Sequence, residues 1–285
     1  MTCSLYLKRA KVDVCLVGDY VTTPLLSTPS IKNYPGIKEI SGVDYLSELH
    51  NQITLVGVYN IDGTAVSIYK NTGNWVVITD SNETIFSSKV VVATGSSPKL
   101  LGFEGENSLL GNGISTCAYC DGSLYENKSV GVIGSGTLAV EDAIYLSGLC
   151  DHVTLLCRKD RLSSSMYSYE QLLKYWNIEV LFNTAVKNIT RHNEKLCLTT
   201  QDERLLEFDG VFYAIGSDPN TQLLQGICPL SSTGYTDFSV EFSSKTGLYA
   251  CGDINSRNKN KQIVTAAADG CNTALQILND LRNGR

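Results

Sequence analysis

One hexapeptide limits the possible folds more than any other part of this 285-residue chain. Gly134-Ser135-Gly136-Thr137-Leu138-Ala139 follows the β-branched run Ser129 to Ile133 and opens a helical pattern from Leu138 to Leu146. It fits G-x-G-x-x-G/A. There the first glycine permits a tight turn, the second lets backbone approach a pyrophosphate, and the small last residue lets helix and strand pack closely. The helix N-terminus then offers unpaired N–H groups and a positive dipole end to phosphates. A lone motif of this kind is weak, but this one has its strand, its helix and a following strand at Val153 to Leu156. Similar apolar runs ending near glycine recur at Val12 to Gly18, Lys89 to Gly95, Val211 to Gly216 and Gly247 to Gly252. Strands buried on both faces belong to parallel sheets, so the expected class is α/β. Between residues 53 and 88 the texture changes. Ile53 to Val58, Ala65 to Tyr69 and Asn74 to Thr79, separated by Asp62-Gly63 and Thr72-Gly73, read as an inserted antiparallel meander.

The strand after the glycine loop ends in Cys157-Arg158-Lys159-Asp160-Arg161. An acidic residue at this tip favours the free ribose hydroxyls of NAD, whereas cations suit the 2′-phosphate of NADP. Arg158, Lys159 and Arg161 therefore point to NADPH, with Asp160 a mixed signal beside them. The bland alternative is a solvated turn.

Cys117 and Cys120 are the one close pair among ten cysteines. Their spacing suits a redox disulfide, with Asp121 beside it as a carboxyl able to protonate a leaving thiolate. Zinc is the minor reading, because His50, His152 and His192 lie at no ligand spacing from a second pair. The pair lies about one strand upstream of the glycine loop, which puts dithiol and nicotinamide sites in one domain. The remaining cysteines are scattered singly, which favours a reducing compartment, the cytosol. A net charge of -6 leaves no basic footprint for nucleic acid or an anionic membrane. No apolar run approaches the ~20 residues of a membrane span. Near the start, Leu5-Tyr6-Leu7 precedes its charges, the reverse of a signal peptide.

These residues resemble the low-molecular-weight thioredoxin reductases. The C-A-x-C-D-G redox motif is matched at Cys117 to Gly122, and the G-x-G-x-x-A loop with its helix at Gly134 to Ser147. The likeness extends to Asn33-Tyr34-Pro35-Gly36, Ala93 to Pro98, Ala214-Ile215-Gly216, Pro219-Asn220-Thr221, Ala250 to Asp253, Lys261 to Ala267 and Gly270-Cys271. The resemblance implies two Rossmann-like nucleotide-binding domains of three ββα layers. A discontinuous FAD domain (1–113 and 219–285) would surround an NADPH domain (114–218) that carries the disulfide. It implies hydride transfer from NADPH to FAD, then to Cys117–Cys120, then to thioredoxin. Cys120 would face the flavin, Cys117 would attack the partner, and Asp121 would be the acid/base. Asn33, Thr94, Gly95, Gly252, Asp253, Lys261, Gln262 and Ile263 would serve FAD. Gly134, Gly136, Thr137, Ala139, Arg158, Lys159 and Arg161 would serve NADPH. A homodimer and a domain rotation complete the implied picture.

The chain departs from the family at its start. Tyr6 to Gly18 matches the end of the family's first helix and its second strand, so the FAD domain reads as N-terminally incomplete, without its first strand and phosphate loop. Loss of that strand should unpair two neighbours and uncover apolar faces. Thr22-Thr23-Pro24-Leu25 stands where the family has G-G-Q-L, Lys261 replaces an arginine, and the last arginine of the nucleotide-binding turn falls at Ser163. A truncated reading frame is favoured over a degenerate, flavin-free binding or regulatory paralogue, because the cysteines, Asp121 and the downstream FAD positions remain. The flavoprotein reductase of a peroxiredoxin system is the rival enzyme.

Overall fold

The computed structural model describes residues 1–19, 23–163 and 166–284. In chain order it begins with α1 (Thr2–Arg9), β1 (Cys15–Val17), α2 (Gly42–Leu55), β2 (Tyr59–Ile61), β3 (Ala65–Asn71), β4 (Asn74–Thr79), β5 (Thr84–Ser87), β6 (Val90–Val92) and β7 (Ser96–Pro98). Then come α3 (Glu106–Leu109), β8 (Ile114–Ser115), α4 (Ala118–Asp121), β9 (Ser129–Ile133), α5 (Thr137–Ser147), β10 (His152–Leu156), α6 (Met166–Leu172) and β11 (Ile178–Leu181). The chain continues through β12 (Val186–His192), β13 (Lys195–Thr200), β14 (Leu205–Phe208), β15 (Gly210–Tyr213), β16 (Ser217–Pro219), α7 (Val240–Thr246), β17 (Leu248–Ala250) and α8 (Ile263–Arg282). Two compact units result: Met1–Ser97 with Asp218–Arg285, and Pro98–Ser217. Both crossings of the chain fall in β7 and β16, which pair with each other.

In the second unit five parallel strands lie in the order β11-β10-β9-β15-β8. Side chains alternate across a strand, so each strand feeds two cores. Val130, Val132, Val153, Leu155 and Phe212 pack with Ala139, Val140, Ala143 and Leu146 of α5. Ile133, Leu156, Val211 and Tyr213 pack on the other side with Ile189, Leu196, Leu198 and Phe208 of the antiparallel meander β12-β13-β14. Meander, sheet and helix make three layers. Gly131 of β9 suits this packing, since a Cβ there would sit 3.1 Å from the Phe208 ring, a tight contact. Residues 98–113 join this unit: Leu101, Phe103 and Leu109 pack under the meander. Glu106, 4% exposed, accepts bonds from Leu101 N, Gly102 N and Tyr213 Oη, each at 2.8 Å. A buried carboxylate held by three donors is a satisfied one.

The first unit uses the same scheme. Val92 and Leu248 face Ile68 and Trp75 of the β3-β4-β5 meander. Tyr249 faces Cys3, Leu7, Ala274 and Ile277 of α1 and α8. Its parallel strands form two separate pairs, β1–β2 and β6–β17. The expected uncovering of apolar faces does not occur at β17: Leu248 and Tyr249 are each 1% exposed, because meander and helices close over them. Tyr249 Oη donates to Asp280 (2.7 Å), which also accepts from Ser244 Oγ at 2.8 Å, so the buried polar groups there are paired.

One expectation fails. Ile53 to Val58 is no strand: α2 runs through Leu55, started by Ser41, whose Oγ accepts from Asp44 N at 3.0 Å. Tyr45, Leu46 and Ile53 are buried at helical spacing, and the turn comes at Gly57 with φ +83°. The β2 strand that follows pairs in parallel with β1, so the meander is β3 to β5 alone.

Candidate active site

Cys117 and Cys120 form a disulfide at the start of α4, with Cα atoms 5.3 Å apart. Cys117 ends the extended segment after β8 and is the N-cap residue of that short helix. Cys120 N donates to Cys117 Sγ at 3.2 Å. A donor aimed at sulfur favours its thiolate form once the bond opens. Cys120 is exposed and Cys117 partly so, which leaves the pair open to a partner. Asp121 is fixed by Ser115, whose Oγ donates to Asp121 Oδ2 at 2.7 Å and accepts from Cys117 N at 3.0 Å. Ser115 thus ties carboxylate and sulfur turn to one side chain. No spacing rule in the sequence marks it out.

The glycine loop lies at the end of β9. A Cβ on Gly134 would stand 2.5 Å from the Ala214 carbonyl oxygen and 2.7 Å from Ala139 Cβ, so glycine there is a steric necessity. Around Gly136 the space is open. Gly136 is the N-cap of α5 and gives no side-chain cap, and Thr137 begins the helix exposed. The first amides of α5 are left for a ligand. This is a cradle that a Cβ would fill, and it fits a dinucleotide pyrophosphate. The basic turn is held against it: Ser163 N and Oγ both donate to Ser135 O, at 2.8 and 3.0 Å, and Cys157 Sγ donates to Arg161 O at 3.3 Å. Arg158, Lys159 and Arg161 are exposed, and none makes an ion pair among the described residues. Ser163, where an arginine is expected from the family pattern, acts as a strut between turn and loop.

The flavin candidates gather in the first unit. Asn33 Nδ2 donates to Gln262 Oε1 at 3.1 Å, across 229 residues of sequence. Gln262 is the N-cap of α8 and shares a capping box with Thr265, with Ile263 starting the helix. Lys261 Nζ donates to Asp253 O at 2.5 Å and lies 4.5 Å over the Tyr235 ring. Burial pushes the Asp253 carboxyl above the usual carboxylate range, against the pull of Lys261. Asn258 donates to one Asp253 oxygen at 3.3 Å, and the other accepts no hydrogen bond among the described residues. A half-buried carboxylate oxygen without a donor fits a ribityl hydroxyl. Gly252, at φ +79°, donates its N–H to Asp269 at 2.8 Å. Thr94 and Gly95 are bound to Asn220: Thr94 Oγ1 donates to Asn220 O (2.6 Å) and Asn220 N to Gly95 O (3.0 Å). Of the Thr22-Thr23-Pro24-Leu25 stretch, Thr22 lies outside the described residues, and Thr23 Oγ1 accepts from Leu25 N at 3.4 Å.

Comparison with known proteins identifies the family. Residues 1–270 match the family model described as pyridine nucleotide-disulphide oxidoreductase. A thioredoxin reductase of Helicobacter pylori is 33% identical over 274 residues, covering 91% of this chain and 87% of that one. A component of the alkyl hydroperoxide reductase of Staphylococcus epidermidis is 30% identical over 95% of this chain but only 55% of its own length. Among solved structures, a thioredoxin reductase from Streptococcus pyogenes superposes with a TM-score of 0.88 at 26% identity, covering 99% of this chain and 94% of that one. The chain belongs to the pyridine nucleotide-disulphide oxidoreductase family, in its low-molecular-weight thioredoxin reductase class.

Proposed function

We propose that this chain is an NADPH-dependent thioredoxin-disulfide reductase working through Cys117 and Cys120. The observation that carries the reading is a disulfide and a dinucleotide cradle in one unit, with the neighbouring carboxylate held by Ser115. In this reading the second unit is the NADPH domain and the first the FAD domain. Gly134 and Gly136 admit the pyrophosphate, Thr137 and the following amides bind it, and Ala139 keeps α5 against the sheet. Arg158, Lys159 and Arg161 meet the 2′-phosphate. Asp253 accepts a ribityl hydroxyl, and Asn33, Thr94, Gly95, Gly252, Lys261, Gln262 and Ile263 line the flavin side. Bound FAD supplies the two-electron relay between nicotinamide and disulfide.

The chain's own residues do the rest. After reduction the Cys117 thiolate, stabilised by Cys120 N–H, attacks a partner sulfur; the partner disulfide breaks and its other sulfur leaves with the electron pair. Asp121 delivers the proton to that sulfur. Cys120 then attacks Cys117 Sγ, closing the intramolecular disulfide and releasing the partner as a dithiol. Eight free cysteines support a reducing, cytoplasmic setting, and family membership supports a homodimer.

Thioredoxin-dependent NADPH oxidation by the FAD-supplemented chain tests the reading. Turnover should be abolished in Cys117→Ser and Cys120→Ser. Failure of the unsubstituted chain to retain FAD or to oxidise NADPH overturns it.

A further inference from the structure

Beneath the redox turn lies a carboxylate that the chemistry above leaves unused. Asp142, in the middle of α5, is 4% exposed. Among the described residues it makes no hydrogen bond and no ion pair. Most buried carboxylates are paired, as Glu106 and Asp280 are here, so an unpaired one calls for a reason. Its helix is the floor of the redox turn. Ala118, 1% exposed, packs in one cluster with Ala139, Ala143 and Leu146. A Cβ on Gly122 would meet Leu146 Cδ2 at 3.0 Å and Tyr145 Cε1 at 3.1 Å. The Tyr119 ring lies 4.4 Å from that of Tyr145. Residues three and four apart share a helix face, so Asp142 continues the stripe of Tyr145 and Leu146 by one turn. Tyr119, on the turn before Gly122, is close enough to feel it: the Tyr119 phenol is raised by burial and then by Asp142's charge.

We propose that Asp142 is a positioning residue for the Cys117–Cys120 couple. Neutral beneath the turn, it lets the reduced pair keep one sulfur as thiolate; ionised, it drives that sulfur to the thiol. Opening the S–S bond places two electrons on the pair, and water supplies one proton, or two when both sulfurs are protonated. A second negative charge under the turn favours the two-proton form. Coupling of this kind is mutual, so the thiolate also holds the proton on Asp142. Burial, with Glu141 adjacent, pushes the Asp142 carboxyl up to about 7, which puts its ionisation in the range where thiols begin to titrate. Among the described residues the packed elements bring no compensating cation: α4 and the turn after it carry Tyr119, Asp121 and Tyr125, α5 carries Glu141 and Tyr145, and α6 carries Tyr169 and Glu170, with Tyr167 of α6 outside the described side chains. β9 carries no titratable side chain, and His152 of β10 is 3.6 Å from Glu179 of β11.

The proposal rests on Cys117 and Cys120 being the redox couple, and its test needs neither flavin nor thioredoxin. The whole chain is opened with a phosphine reductant, itself oxidised in the step, and alkylation of Cys117 and Cys120 by iodoacetamide is followed by mass spectrometry across pH. For a unit charge taken to act over a distance on the order of 10 Å at an effective dielectric constant of about 20, Coulomb's law gives about a tenfold change in thiolate occupancy. Asp142→Asn should therefore alkylate about tenfold faster than the unsubstituted chain above neutral pH, and the two profiles should converge on the acid side. Glu141→Gln, changing an exposed carboxylate, should move the profile by less than twofold. Superimposable profiles, or an asparagine variant slower at every pH, overturn the proposal. Asp142→Leu carries the same prediction should the asparagine variant fail to fold.

Discussion

Asp142, buried and unpaired among the described residues, makes a stability prediction whose sign can be worked out beforehand. An ordinary aspartate titrates at 3.8, and this one is pushed to about 7 by burial with Glu141 beside it. Each pK unit between folded and unfolded states corresponds to about 1.4 kcal/mol, so the cost of ionising it in the folded chain approaches about 4 kcal/mol. Between those two values the folded chain binds more protons than the unfolded one, so stability falls as pH rises through the window and levels off above it. Asparagine has the shape of the neutral acid and no charge to bury. Asp142→Asn should therefore match the unsubstituted chain near pH 4. At about pH 8 it should be more stable by about 1–4 kcal/mol, the lower figure allowing for relaxation and water entry around the ion. Denaturant midpoints measured side by side across that range test this. A difference that does not vary with pH would refute the reasoning, as would an asparagine variant less stable throughout, because either means the carboxylate has a partner.

Three other substitutions bear on the sites. Gly134→Ala drives a methyl group to 2.5 Å from the Ala214 carbonyl oxygen; it should cost about 1–3 kcal/mol in denaturant unfolding and raise the KM for NADPH at least about tenfold. Arg158→Ala and Lys159→Ala, removing exposed cations that make no ion pair among the described residues, should each weaken NADPH about tenfold while leaving NADH unchanged, read from steady-state kinetics with both cofactors. Ser115→Ala removes the 2.7 Å bond to Asp121 and the acceptor for Cys117 N; about 1 kcal/mol of stability should be lost, with a fall in kcat for thioredoxin that exceeds any change in KM.

Much of the second unit is legible in the sequence because local chemistry and global packing agree there. Val130, Val132, Val153 and Leu155 are wholly buried between two covers, and such strands look apolar from end to end. Gly134 is set by the closeness of Ala214 and Ala139, so the motif that names it also reflects its steric reason. The strand expected at 53–58 fails because Ile53 belongs to the buried stripe of a helix, and a short apolar run does not declare its period. The β12-β13-β14 meander is hard to read because its turns at Asn193 and Glu203 use non-glycine residues at φ +56° and +60°. The roles of Ser115, Ser163 and Asn220 are not legible for another reason: each acts through hydrogen bonds to residues distant in sequence or to backbone, which no residue spacing encodes. Asp142 reads as one more charge on a helix, and only the folded chain shows it to be buried.

The central claim is that reducing equivalents from NADPH arrive at Cys117 and Cys120. It is tested most directly by incubating the FAD-supplemented chain with NADPH without oxygen, quenching with an alkylating reagent and mapping the modified cysteines. NADPH should add label at Cys117 and Cys120, with the other eight cysteines labelled as in the untreated chain. Unchanged labelling at this pair after NADPH would contradict it.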